Sequence, residues 1–385
     1  MIERPNRFPW LQLILMSSIT FMGILSELVP SGILPEMSDG LQVSYSAIGL
    51  LVSVYAIASA VGTIPLVTRT MPMNRKTLTL ILLVIFSVSN LVIAISTSYY
   101  FTAFARLIGG ISAGVLWPMI SAYAMRLVSP EQHGRAIAIV MAGSTLGLGV
   151  GLPIMTTIGT KISWRVEFAV LAAIILAIGI LVQVILPSTP GEKRTKTNSP
   201  LYIIKNKSVI ICLIVTFLTI TAHYGLYTYI APLVELFELS GGIRIASVIF
   251  GIGTIISVVI AARVIDDHLG ELTVSMLGLA LLTMVLFVFF KGTYLISHVA
   301  FFLWGISFGP LVTIFQTAVT KQVATGKDVA TSLQSSTFNF GIVIGSAIGG
   351  AILGFTSVFS IVFLTLALLA ISLFITMSAK STFFR

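Results

Sequence analysis

The sequence predicts an all-α membrane protein, with twelve transmembrane helices in two six-helix pseudo-symmetric bundles. Three observations lead there: composition, the spacing of apolar runs and an internal repeat. Of 385 residues, 57% are hydrophobic and 9% charged, and the mean hydropathy is +1.06. Soluble domains carry roughly 25% charged residues, so a water-soluble fold of this chain would lack a polar surface.

A spanning helix needs about 20 mostly apolar residues. Runs of that kind, separated by polar or Pro/Gly-marked turns, lie at 11–34, 46–69, 76–96, 99–126, 134–159 and 165–186. A second set lies at 208–237, 244–264, 272–290, 294–320, 329–355 and 358–378. Arg4 and Arg7 ahead of Leu11 mimic a secretory signal, but the run continues to Leu34 and many spans follow, which indicates a retained first helix. The linker-like stretch from Pro187 to Lys207 is rich in Pro, Lys and Arg. It divides the chain into an N-terminal bundle (1–190), a linker (191–207) and a C-terminal bundle (208–385).

The net charge of +9 raises the question of nucleic acid, but the basic residues form no patch with interleaved aromatics. They sort by loop instead. Lys161, Arg165, Arg244 and Lys291 fall on one side and Arg106 inside a helix; the rest of the 22 Lys and Arg share the side of the termini and linker. Positive loops stay cytoplasmic, so both termini are expected in the cytoplasm. Cys212, the single cysteine, excludes an intrachain disulfide framework and a Cys-based zinc cluster.

The halves resemble each other. A shift of 194 puts Ser53-Val54 on Ser247-Val248, Arg69 on Arg263, Gly147 on Gly341 and Gly151 on Gly345. A shift of 195 puts Gly110-Ile111-Ser112 on Gly305-Ile306-Ser307 and Gly114 on Gly309. Six helices per half keep the repeats parallel.

Local motifs point further. Helix 1 carries Glu27-Leu-Val-Pro30-Ser-Gly32-Ile-Leu-Pro35, and helix 4 carries Arg106-Leu-Ile-Gly109-Gly110-Ile-Ser-Ala-Gly114. Trp164-Arg165-Val-Glu-Phe168 follows helix 5. Helix 7 has His223-Tyr224-Gly-Leu-Tyr227-Thr-Tyr229-Ile-Ala-Pro232, and helix 11 has Asn339 and Gly341. The chain resembles the major facilitator superfamily in its twelve-helix drug/proton antiporter branch, above all bacterial sugar-efflux and nucleoside-efflux members. The resemblance implies proton-driven efflux of a small organic solute such as a sugar or drug, across a bacterial cytoplasmic membrane, by alternating access. Uptake by symport and a non-transporting scaffold are the alternatives.

Two features depart from the family pattern. The loop from Gly62 to Lys76 keeps its basic end, Arg75-Lys76, without the acid that usually serves a conformational latch. The helix-5 motif, normally with Gly-Pro, here reads Gly143, Gly147, Gly149, Gly151 and Pro153 with Leu152 intervening.

Ionisable groups at membrane depth are costly, and their default reading is functional. Glu27 and Arg106 each fall about 10 Å below the outer ends of helices 1 and 4 at 1.5 Å per residue. They are candidates for proton coupling, Glu27 carrying the proton and Arg106 adjusting its affinity; the alternative is a fixed contact from Arg106 to Glu27 or to backbone. His223 and Tyr227 share a face at i and i+4. They are assigned to a substrate cavity, although a structural hydrogen bond across helices accounts equally for His223. Asn339, Gln316 and Gln334 are uncharged hydrogen-bonding groups for a hydroxyl- or amide-bearing substrate, or glue between helices. Gly110, Gly114, Gly147, Gly151, Pro153, Gly341 and Gly345 are assigned to close helix packing.

The expected partners are solute, protons and membrane lipid, for a monomer with no metal and no cofactor beyond the proton gradient. Gly110 to Gly114 and Gly305 to Gly309 match the nucleophile-elbow pattern, but that motif needs a strand and a sharp turn, and both lie in apolar helices. An enzyme is not expected.

Overall fold

The computed structural model describes residues 8–290 and 293–384; Arg4, Arg7 and Lys291 lie outside the described residues. Among the described residues, twelve helices are long and apolar enough to cross a membrane. They are α1 (Trp10–Gly32), α2 (Tyr45–Thr70), α3 (Arg75–Ile95), α4 (Tyr99–Met125), α5 (Pro130–Lys161) and α6 (Trp164–Ile185). After the linker come α7 (Lys207–Tyr227), α8 (Gly242–Val264), α9 (Leu269–Phe289), α10 (Leu295–Lys321), α11 (Lys327–Phe355) and α12 (Val358–Ser378). Side chains of Asn74, Ser163 and Asn206 accept from first-turn amides of α3, α6 and α7, satisfying donors that have no partner within the helix.

The predicted spans are interrupted where proline removes a donor. The first was expected to run from 11 to 34, but α1 stops at Gly32 and a short helix, Leu34–Leu41, follows. Pro35 has no N–H for the carbonyl of Ser31, and it fits the first turn of a new helix. The 208–237 run likewise becomes α7 and a separate helix Ile230–Leu236, because Pro232 cannot donate to Thr228. α10 is broken before Leu311, next to Pro310. Within α5, Gly147–Gly151 forms a wide π-type turn ahead of Pro153, which cannot donate to Gly149.

Contacts divide the chain into two compact units. Unit 1 comprises residues up to Pro130, Ile139–Pro200 and Gly326–Ser335; unit 2 comprises Glu131–Ala138, Leu201–Thr325 and Ser336 onward. The opening turns of α11 therefore belong to unit 1, and those of α5 to unit 2.

In unit 1, α2 packs on α4, α3 on α4 and α6, and α1 on α6. Unit 2 repeats the scheme: α8 on α10, α9 on α10 and α12, and α7 on α12. The repeat extends to single contacts. A Cβ on Gly110 would lie 2.3 Å from the carbonyl oxygen of Tyr55, and one on Gly305 2.0 Å from that of Phe250. Both members of the second pair are offset by the same 195 residues from the first. Gly114 meets Ser59 and Gly309 meets Thr254 in the same way. Gly147 and Gly151 pack on α1, and Gly341 and Gly345 on α7.

Candidate functional site

Pro30 sits inside α1 and cannot donate to the carbonyl of Ser26, which leaves a buried acceptor without its helical partner. Arg106 of α4 supplies the donor. Its Nη1 donates to Ser26 O, its Nη2 to Glu27 O at 2.8 Å, and its Nε to Leu51 O of α2 at 3.2 Å. The guanidinium lies 4.3 Å from the centre of the Tyr55 ring, and Arg106 is 1% exposed. Asn90 of α3 adds hydrogen bonds to Ser26 Oγ at 3.2 Å and Phe86 O at 2.8 Å.

Of the two arrangements open from sequence, the structure adopts the backbone one. Among the described residues Arg106 makes no salt bridge, and its hydrogen bonds go to carbonyl oxygens. The Glu27 carboxyl is half-buried and remains in the field of Arg106, free of an ion pair.

In unit 2, His223 is 4% exposed and enclosed by aromatic rings. Tyr227 stacks on it with ring centres 5.1 Å apart, Phe308 lies face to face with it, and Phe250 and Trp304 complete the box. Trp304 Nε1 donates to His223 Nδ1 at 3.2 Å, which makes Nδ1 the acceptor and places the ring proton on Nε2. Sequence reading paired His223 with Tyr227 but missed Trp304, although it abuts the repeated Gly305-Ile-Ser307. Trp304→Phe is expected to leave Nδ1 buried without a donor and to lower stability by about 1–3 kcal/mol, read by thermal unfolding in detergent.

The other candidates are spread. Gln316 is 2% exposed in unit 2, and Asn339 is half-buried in the same unit. Gln334, 1% exposed, belongs to unit 1, and its Nε2 has no hydrogen-bond partner among the described residues.

The basic end of the α2–α3 loop has the acid that its own sequence lacks. Arg75 Nη2 donates to Asp328 Oδ2 at 2.5 Å and to Met71 O at 2.8 Å; both side chains of the pair are 1% exposed. Arg126 reaches the same Oδ2 at 3.3 Å and lies 3.8 Å from Glu192 of the linker. Glu192 Oε1 in turn accepts from Gly326 N at 2.8 Å and Asn198 Nδ2 at 3.1 Å. Lys76, by contrast, is half-buried beside its capping residue Asn74.

In unit 2 the α8–α9 loop carries its own acid. Asp266 accepts from Gly134 N at 2.5 Å and Arg135 N at 2.9 Å. Burial raises its pKa, against the pull of those two amides and of Lys321.

The Major Facilitator Superfamily profile matches residues 16–330. A probable sugar efflux transporter of Mannheimia succiniciproducens is 26% identical over 353 residues, covering 90% of this chain and 88% of the relative. A chloramphenicol efflux pump of Mycobacterium tuberculosis is 27% identical over 350 residues, covering 88% and 85%. Among solved structures, a human organic anion transporter superposes with a TM-score of 0.76 at 16% identity, covering 94% of this chain and 97% of that one. A proton:xylose symporter does so with 0.74 at 13% identity, covering 97% and 96%. These relatives and this fold are those of multi-pass membrane transporters rather than enzymes. A profile over most of the length, twelve spans and the repeated helix packing agree, and the chain belongs to the Major Facilitator Superfamily.

Proposed function

We propose that this transporter is a proton-coupled efflux antiporter of a bacterial cytoplasmic membrane, with both termini and the linker on the cytoplasmic side. One observation carries the reading: the Glu27 carboxyl stands at membrane depth, outside any ion pair, beside an Arg106 whose hydrogen bonds are committed to carbonyls. Such a carboxyl gains a proton as water withdraws and loses it as water enters, while the fixed guanidinium supplies a constant field. Arg106 then also holds α1, α2 and α4 in register, so the proton acts on a braced helix.

The solute is a small uncharged molecule with hydroxyl or amide groups. Sugars and chloramphenicol, named for two relatives, share that chemistry. In unit 2, His223, Tyr227, Asn339 and Gln316 offer aromatic faces and uncharged hydrogen-bonding groups to match it. No metal or organic cofactor takes part; the proton gradient is the energy source, and the unit of transport is the monomer in its lipid.

The test is counterflow in proteoliposomes with an imposed proton gradient, using chloramphenicol and a panel of sugars. The wild type is expected to move solute against protons, and Glu27→Gln to abolish the gradient-driven flux while solute exchange persists. Full gradient-driven flux in Glu27→Gln, or protons moving in the same direction as solute, would overturn the reading.

A further inference from the structure

Unit 1 encloses another carboxyl, which the proposed transport cycle does not use. Glu167, in the first turn of α6, is 0% exposed, and among the described residues neither Oε1 nor Oε2 has a hydrogen-bond partner. Gly159 of α5 and Ile33 close over it: a Cβ at Gly159 would stand 2.0 Å from Oε2 and 2.6 Å from Ile33 Cγ2. The short helix Leu34–Leu41 lies against the same turn, since a Cβ at its Gly40 would be 2.4 Å from the indole nitrogen of Trp164. That helix brings Glu36, one turn before Gly40 and so on the same face, whose Oε2 is likewise enclosed and, among the described residues, unpartnered.

The other charged groups on the packed elements face elsewhere. Arg165 donates to Ala94 O at 3.2 Å and to Ser96 O, and lies over the Trp164 ring. Lys161 and Asp39 are exposed. Glu27 lies on α1, across the break at Ile33 from Glu36, and Arg75 and Lys76 begin α3 at the end remote from Ala94, about 30 Å away at the helical rise.

A carboxylate sealed from water without a donor or cation is strongly disfavoured. Two carboxyls brought to the same helix contact do not readily both ionise, and one proton held as O–H···O would satisfy an oxygen of each. We propose that Glu36 and Glu167 form a proton-binding site, distinct from Glu27, in which one shared proton fastens the helix Leu34–Leu41 to α6. The proton comes from the aqueous phase, and its loss leaves two facing carboxylates that push the short helix away. The end of unit 1 opposite the linker is thereby made responsive to pH, whether or not transport is proton-coupled.

Infrared spectroscopy of the full chain in lipid nanodiscs at neutral pH tests the site. The expected result is a C=O stretch of a hydrogen-bonded protonated carboxyl that Glu167→Gln and Glu36→Gln each remove and Glu27→Gln leaves. Thermal stability of the wild type should fall as pH rises, and Glu167→Gln, which keeps the donor permanently, should flatten that slope. If Glu167→Gln does not fold, the half-buried Glu36→Gln decides alone. A band indifferent to both replacements would sink the proposal, as would a site that responds to replacing sodium by choline rather than to pH, which would make the ligand a metal cation.

Discussion

Asp328→Ala is expected to destabilise the protein by about 3–5 kcal/mol, the usual cost of leaving one member of a buried ion pair unpaired. Arg75 and Asp328 are each 1% exposed, so neither charge recovers hydration when its partner goes. Arg126, a quarter exposed, can turn to Glu192 or to water, which is why Arg126→Ala should cost far less. The double replacement Arg75→Met with Asp328→Leu should regain most of the loss, since apolar residues of similar volume commonly substitute for a buried pair at little cost. Thermal unfolding in detergent measures all four proteins. A small effect of Asp328→Ala, or no rescue by the double replacement, would mean that the pair does not hold α11 to α3.

Gly305→Ala and Gly110→Ala should be nearly as damaging, at about 3 kcal/mol or more, the upper range for inserting atoms into a packed interface. The added methyl would meet a backbone oxygen at 2.0 or 2.3 Å, and backbone cannot rotate aside as a side chain can. Gly251 lies on α8, which also carries Phe250 and Thr254, yet a Cβ there meets nothing within 4 Å. Gly251→Ala should therefore be neutral or stabilising by up to about 1 kcal/mol through helix propensity. Yield of folded, monodisperse protein after solubilisation separates the outcomes. Equal behaviour of Gly251→Ala and Gly305→Ala would show that close approach is not what these glycines provide.

The contrast between the two halves explains why part of the site escaped sequence reading. The repeat offset of 194 places Pro72 opposite Asp266, so the first-half loop visibly lacks the acid that the second-half loop has. That gap was legible. Its filling by Asp328, 253 residues from Arg75, was not, because an acid in the first turn of a helix is ordinarily explained by the helix dipole. Glu167 was hidden for a similar reason: it opens α6 and reads as a first-turn acid until its enclosure by Gly159 and Ile33 is seen.

Sequence by itself determined the membrane location of the fold, the twelve spans, their two-fold repeat and the rarity of Glu27, Arg106 and His223 at depth. These features follow from local physics. Lipid forces each span to satisfy its own backbone, so length and apolarity suffice to find it, and proline marks where satisfaction fails. Only the tertiary structure decided what each buried polar group touches. Arg106 turned to the carbonyl freed by Pro30, His223 to Trp304, Arg75 to Asp328 and Glu167 beneath Gly159. Each is a meeting of separate helices, set by which faces pack together, and a single chain of letters carries no record of that choice.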